Sequence, residues 1–178
     1  MTALITCVLL PLAVAFAAEP DVNEYWIVDP VGFDGVTLVG MEVTTRLMSD
    51  VEDLWAEFIR RIETEITGVE TRTAYGVILA WNEFNSTFTY MAAVESDMPD
   101  PLPEGMVRRE LEPGSYAVFY FPSRMLADMG QYAWFTWLPQ SQYVHGSGYD
   151  FEYYPADMWS TGDGDDEIMR LYVSIESE

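Results

Sequence analysis

The chain has 178 residues, 49% of them hydrophobic, which is enough to bury the core of one domain or of two small fused modules. Its formal net charge is −22, and all eight basic residues are arginine. A surface of this sign repels phosphate backbones and argues against nucleic acid as a partner. An acidic surface without lysine also indicates halophilic adaptation, in which most of the charge serves solvation.

The N-terminal segment has the pattern of a secretory signal peptide. Leu4 to Ala18 are almost wholly apolar, and small residues around Ala17 offer a cleavage point. The run is too short to predict a membrane span, and none is expected in the mature chain. Cys7, the only cysteine, lies inside it, so disulfides are not expected after cleavage. The sequence therefore predicts a signal peptide over residues 1–18, an exported (periplasmic or extracellular) protein, and a linker over residues 19–34.

The next segment predicts a strand, a helix and two more strands. Ser49-Asp50 is an N-cap signal, and apolar residues at helical spacing predict an amphipathic helix from Asp50 to Ile66 that ends at Gly68. The last two strands are expected to form a hairpin around Asn82 to Ser86. The three predicted strands are Gly35 to Val43, Ala74 to Trp81 and Thr87 to Glu95.

The same order of elements then repeats. Three prolines between Met98 and Gly105 mark a boundary. Beyond it the sequence predicts a strand region over Val107 to Phe121 turned at Pro113-Gly114, a helix over Arg124 to Trp137 stopped by Pro139, and strands over Tyr149 to Tyr154 and Ile168 to Ile175. The expected fold is a single α+β domain over residues 35–178. It would consist of duplicated β-α-β-β modules, residues 35–97 and 106–178, forming two antiparallel sheets side by side with a helix on each and a central ligand cleft.

Strand alternation assigns side chains to the two faces of each strand. In the last strand Met169, Leu171, Val173 and Ile175 share the side expected to be covered by helices, and Arg170 and Tyr172 point the other way. Tyr75 and Trp81 are expected to share a face of their strand, as are Phe88 and Tyr90 of the next. This pattern makes Tyr75, Tyr90 and Tyr172 candidate pocket residues. Trp55 lies in the apolar stripe of the first helix.

Metal and cofactor chemistry find little support in the residues. His145 is the only histidine, so we do not expect a zinc or haem site. For the same reason, no Ser-His-Asp set could form without His145. The acidic, glycine-containing loop from Ala156 to Glu167 lacks the order of an EF-hand and is predicted to be solvated. No phosphate-binding glycine loop is present. We therefore expect neither a metal site nor a cofactor.

One carboxylate stands within a run of aromatic residues, Tyr149-Asp150-Phe151-Glu152-Tyr153-Tyr154. Burying Glu152 alone among aromatic faces is costly. The burial becomes favourable when a cationic, partly apolar group lies beside it. Glu152 is therefore the leading candidate for a functional side chain.

Several strings resemble the GyrI-like effector-binding domain, the two-repeat small-molecule-binding module of multidrug-sensing transcription regulators, in a stand-alone version. The resemblance covers roughly residues 33–178. The strings are Leu54-Trp55-x-x-Phe58, Leu111-Glu112-Pro113-Gly114-Ser115-Tyr116-Ala117-Val118-Phe119, Trp137-Leu138-Pro139-x-Ser141-x-Tyr143, Phe151-Glu152-x-Tyr154 and the closing strand Ile168 to Ile175.

The resemblance implies that Glu152 projects into a cleft between the repeats, where aromatic side chains sandwich lipophilic cations. It adds Tyr172 of the closing strand and Trp137 to that cleft. The candidate ligand-binding residues are Glu152, Tyr172, Trp137, Tyr75, Tyr90, Tyr116 and Trp55.

The expected function is the binding of a lipophilic, cationic small molecule, without a DNA-binding part, by a chain expected to be monomeric. Two alternatives stay open. The first, which the resemblance implies, is a hydrolase of strained, cyclopropane-containing toxins with Glu152 as general base. The second is an exported protein-interaction module whose groove contacts a partner.

Overall fold

The computed structural model describes residues 25–67, 69, 73–159 and 167–177, and these residues form an α+β domain, as predicted. The expected signal segment and residues 19–24 lie outside them. The strands are β1 (Trp26–Phe33), β2 (Val36–Thr45), β3 (Ala74–Asn82), β4 (Thr87–Glu95), β5 (Val107–Leu111), β6 (Gly114–Pro122), β7 (Tyr143–His145), β8 (Asp150–Tyr154) and β9 (Ile168–Ser177). The helices are α1 (Met48–Glu65) and α2 (Leu126–Tyr132), and α2 continues through a π-helical turn (Ala133–Trp137) into α3 (Leu138–Gln140).

The strands pair antiparallel in the order β1-β6-β9-β8-β3-β4-β2-β5, with β7 paired to the end of β9. The two halves of the chain meet where β3 pairs with β8. Two separate sheets were expected, but this pairing joins the halves into one sheet. The order is mirrored about that seam, with β6-β9-β8 on one side and β3-β4-β2 on the other.

The two ends of the strand order are connected by a bent ribbon. β1 runs into β2 and β5 runs into β6, and one register continues across both bends, with Phe33 opposite Gly114 and Val36 opposite Leu111. Gly35 makes the first bend at φ +87°, where a Cβ atom would lie 2.8 Å from the carbonyl oxygen of Leu111. The sheet therefore curls so that its ends are held together.

The prediction of a linker over residues 19–34 is wrong from residue 26 onward, because β1 occupies Trp26–Phe33. β1 forms an edge of the sheet, where a proline costs no ladder hydrogen bond, and Pro30 lies at a register shift between Val28 and Val31. The polar, proline-containing composition that predicted a linker is therefore that of an edge strand.

Side chains on the two faces of the sheet form two apolar clusters. The helix-side cluster contains the buried stripe of α1 and the four β9 residues that alternation predicted, Met169, Leu171, Val173 and Ile175. The second cluster, on the opposite face, includes Tyr75, Tyr116, Phe151 and Tyr172. Trp81 was expected beside Tyr75, but a register shift between Ile78 and Ala80 reverses the alternation, and Trp81 stacks on Phe88 on the helix side.

Both helices differ from prediction at an end. α1 begins at Met48, two residues before the predicted start at Asp50. Thr45 Oγ1 accepts a hydrogen bond from the backbone N–H of Leu47 at 3.0 Å and donates one to the carboxylate of Asp50, and these two bonds fix the first turn. Gly68, its predicted end, lies outside the described residues. The second helical segment runs to Gln140, past Pro139, after the π-helical turn. A π turn loosens the backbone at the position where the proline ring would otherwise clash.

No helix among the described residues is long and apolar enough to cross a membrane.

Candidate functional site

The side chain of Glu152 lies in the interior, on the helix side of the central seam. Glu152 is in the middle of β8, opposite Gly76 of β3 and Leu171 of β9, and it is 1% exposed. Tyr154, two residues along the strand, shares its face. A carboxylate so far from water depends on polar partners supplied by the protein or by a ligand.

Two tyrosines donate hydrogen bonds to the same oxygen of Glu152. The hydroxyls of Tyr90 on β4 and Tyr154 on β8 each lie 2.6 Å from Oε2. Trp55 of α1 donates from Nε1 to the Tyr90 hydroxyl at 3.1 Å, and its ring packs edge-to-face on Tyr154 at 5.2 Å. Lengths near 2.6 Å are typical of hydroxyl donors to a charged carboxylate. Glu152, Tyr90, Tyr154 and Trp55 are called the glutamate network below.

Gly76 makes room for this network and was not predicted. A Cβ atom at Gly76 would overlap the Tyr90 hydroxyl and Oε2 of Glu152, and would lie 2.8 Å from Cζ of Tyr90. A glycine inside a strand often marks such a close approach, so the sequence contained a signal for it. Tyr154 was also missed as a site residue, although its spacing of two from Glu152 indicates a shared face.

Three other candidate residues meet on the opposite face of the sheet, around Phe151. Tyr172 stacks on the Phe151 ring at 4.4 Å, and Tyr116 and Tyr75 pack against it at 5.3 and 6.0 Å. Burial raises the pKa of Tyr116 to about 12 and also raises the pKa values of Tyr75 and Tyr172. All three side chains are therefore neutral phenols at physiological pH. The seven predicted residues do not form one cleft.

Trp137 lies in a third place. It closes the π-helical turn, packs edge-to-face on Phe119 at 5.3 Å and stacks near Tyr143 at 6.2 Å. These contacts anchor the second helical segment to the sheet. The structure brings Trp55 and Tyr90 to Glu152, and it places Trp137 elsewhere.

An open groove of about 650 Å³ lies at one end of the molecule, where β6 begins and β9 ends. Its walls include Tyr116, Tyr149, Glu112 and Glu176, but Glu152 does not reach it. The groove and the glutamate network are separate features.

His145 forms a small polar cluster beside the groove. Its Nε2 lies 3.0 Å from Oδ1 of buried Asp150, and the backbone N–H of Ser174 donates to the same oxygen at 2.8 Å. The ring packs against Trp134 at 4.4 Å. The hydrogen bond with Asp150 raises the pKa of His145. Within the described ranges, no group of three or more His, Cys, Asp and Glu side chains is placed to hold a metal ion.

Comparison with known proteins gives one consistent family. A family model for the GyrI-like small molecule binding domain matches residues 33–176. The transcriptional regulator BrlR of Pseudomonas aeruginosa is 32% identical over an alignment of 143 residues that covers 78% of this chain and 52% of that protein. The chain thus spans about half the length of this curated relative.

Solved structures share the fold at low identity. The C-terminal domain of EcmrR aligns with a TM-score of 0.64 at 9% identity, covering 86% of this chain and 99% of that one. The structure of SAV2435 bound to tetraphenylphosphonium aligns with a TM-score of 0.57 at 17% identity, covering 86% and 94% of the two chains.

Proposed function

We propose, because this chain belongs to the GyrI-like small molecule binding domain family, that it binds a lipophilic organic cation beside the carboxylate of Glu152. The observation that carries the proposal is a carboxylate 1% exposed, held by two tyrosine hydroxyls and surrounded by aromatic rings. Tetraphenylphosphonium, the ligand of the SAV2435 structure, has this chemistry.

Such a ligand matches the glutamate network in both charge and polarity. A desolvated carboxylate attracts a cation more strongly than an exposed one, because the local dielectric is low. The faces of Trp55, Tyr90 and Tyr154 add cation–π attraction. A bulky phosphonium or quaternary ammonium ion is weakly hydrated, so it loses little hydration free energy when it enters a buried site. The charge contact is worth about 1–3 kcal/mol by analogy with hydrogen bonds to charged groups.

The ligand must displace part of the network to reach the carboxylate. Trp55 and Tyr90 cover Glu152 on the helix side, and Trp55 contacts the sheet through its hydrogen bond to Tyr90 and its ring contact with Tyr154. We place the entry route under α1, with Trp55 as the side chain that moves. The mirrored strand order supports two duplicated modules, with the site at the seam between them.

The test is calorimetric titration of the full chain with tetraphenylphosphonium in a high-salt buffer. Glu152→Gln keeps the side-chain shape and an oxygen for the tyrosine hydroxyls but removes the charge. We expect affinity about 5- to 150-fold weaker, the equivalent of 1–3 kcal/mol. Glu110→Gln, which changes an exposed acid on β5, is the matched control and should bind like wild type.

A neutral probe separates charge from shape. Triphenylphosphine oxide should bind wild type and Glu152→Gln alike, since it has no cation for the carboxylate to attract. Equal affinities of the two proteins for tetraphenylphosphonium would refute the role of Glu152 as the anchor.

Hydrolysis at the same site is the second candidate, because two tyrosine hydroxyls at the carboxylate supply proton donors beside a potential base. Incubation with an alkylating cyclopropane compound distinguishes the two. Turnover by wild type that is lost in Glu152→Gln would support a hydrolase, and turnover that persists would rule out this mechanism. A co-purifying protein without cation binding would instead favour an interaction module.

A further inference from the structure

A row of five large side chains crosses five strands on the face of the sheet opposite α1. Neighbouring strands pair Trp26 with Tyr120, Tyr120 with Arg170, Arg170 with Tyr153, and Tyr153 with Tyr75. Directly paired residues on one face are in side-chain contact. The row therefore has four aromatic rings and a guanidinium at its centre.

The rings hold the guanidinium between two faces. The Arg170 guanidinium carbon lies 5.3 Å from the centroid of Tyr120 and 4.6 Å from that of Tyr153. Trp26 stacks on Tyr120 at 4.9 Å with an interplanar angle of 8°. Tyr75 packs edge-on against Tyr153 at 5.5 Å. Tyr120 and Tyr153 thus flank the guanidinium from the two neighbouring strands, and its N–H donors lie in its own plane, at the edges of the group.

The charge of Arg170 is not neutralised by a protein carboxylate in the part of the chain that the structure describes. Four other arginines do have such partners: Arg60 with Glu57, Arg61 with Glu65, Arg108 with Asp100 and Arg109 with Glu42. Burial lowers the pKa of Arg170, and interactions with the hydroxyls of Tyr172, Tyr153 and Tyr120 more than offset that effect. Arg170 is thus a half-buried, permanent cation in a chain of net charge −22.

We propose that this row is a binding site for an aromatic carboxylate, distinct from the glutamate network. The planar N–H fork of Arg170 matches a carboxylate in a bidentate arrangement. Trp26, 50% exposed, and the half-buried rings of Tyr120 and Tyr153 offer apolar surface for the rest of the ligand. Because successive residues of β8 alternate, Tyr153 points away from the face that Glu152 occupies, and the sheet separates the two sites.

The probes are 2-naphthoate and its neutral counterpart 2-naphthamide, titrated into the full chain by calorimetry in the same high-salt buffer. Arg170→Gln should weaken naphthoate binding at least 10-fold and leave naphthamide binding within 2-fold of wild type. Arg170→Lys keeps the charge but loses the planar fork, so an intermediate loss is expected. Arg109→Gln is the matched control, since it removes an exposed arginine from the same sheet and should change nothing.

Two further variants make the test independent of the proposed cation site. Trp26→Leu should weaken both naphthyl probes, because it removes the ring surface. Glu152→Gln should leave naphthoate binding unchanged even where it abolishes tetraphenylphosphonium binding. The proposal is overturned by equal naphthoate affinity in wild type and Arg170→Gln, by no binding to folded wild type at millimolar probe, or by loss of naphthoate binding in Glu152→Gln.

Discussion

An alanine at Gly76 adds one methyl group to the most crowded point of the glutamate network. The new Cβ would overlap the Tyr90 hydroxyl and Oε2 of Glu152, and would lie 2.8 Å from Cζ of Tyr90. Gly76 is fixed between β4 and β8, where it pairs with Ala92 and Glu152, so the strand cannot shift without breaking two ladders. The tyrosine and the carboxylate must therefore move apart.

The expected cost follows from three contributions. Forcing a methyl group into a packed interior costs about 1–3 kcal/mol. Losing a hydrogen bond to a charged group adds about 1.5–3 kcal/mol. Replacing glycine by alanine also restricts the unfolded chain, which offsets about 0.4–1 kcal/mol. We expect the free energy of unfolding to fall by about 2–5 kcal/mol, the sum of these three.

Equilibrium urea unfolding in high-salt buffer measures this change. Gly32→Ala on β1 is the matched control, because a Cβ atom there meets nothing within 4 Å, and its free energy of unfolding should equal or slightly exceed that of wild type. In a Tyr90→Phe background, Gly76→Ala should lower the free energy of unfolding by less than it does in wild type, since the overlapping hydroxyl is gone. If Gly76→Ala unfolds at the same urea concentration as Gly32→Ala, the crowding argument is refuted.

Three smaller predictions address other contacts. His145 has a raised pKa, so its contribution to stability should be complete below its ordinary pKa of 6.5 and lost as pH rises through the folded-state value. Urea unfolding across this range should show that fall in wild type but not in His145→Gln, and parallel curves would contradict it. Trp55→Phe should lower the free energy of unfolding by about 1–3 kcal/mol, measured in the same way, because it removes the hydrogen bond that Trp55 donates to the buried Tyr90 hydroxyl. Phe84→Ser, at a side chain 99% exposed, should stay within about 0.5 kcal/mol of wild type.

The sequence predicted regular elements well where one periodicity ran unbroken. The bounds of β4 match the prediction, and alternation placed the apolar side of β9 correctly, because period-two patterns fix which side chains face the core. The pattern failed at Trp81, where a bulge reverses the faces, and at β1, where an edge strand has the composition of a linker. Neither a bulge nor an edge position leaves a clear signature in a single sequence.

The candidate site was predicted in part for the same reason. Glu152, Tyr90 and Trp55 do lie together, but Tyr75, Tyr116 and Tyr172 lie on the other side of the sheet. Until the pairing of strands from the two halves is known, candidate side chains on two faces of one sheet cannot be distinguished from side chains that line one cleft. Gly76 acquires its role only through the β3–β8 register, which joins segments far apart in the chain, whereas the spacing of two between Glu152 and Tyr154 lies within one strand.

The bent ribbon that closes the sheet also has a consequence for how the chain folds. β1 and β2 lead the described part of the chain, yet β1 pairs only with β6, and β2 gains its second neighbour only when β5 is present. Contacts between segments so distant in sequence form slowly, because the intervening loop must close first. Neither half of the chain can complete its part of the sheet while the other half is unfolded. A chain cut between Met98 and Gly105 should therefore yield two fragments that are largely unstructured when separate and that regain the sheet when mixed.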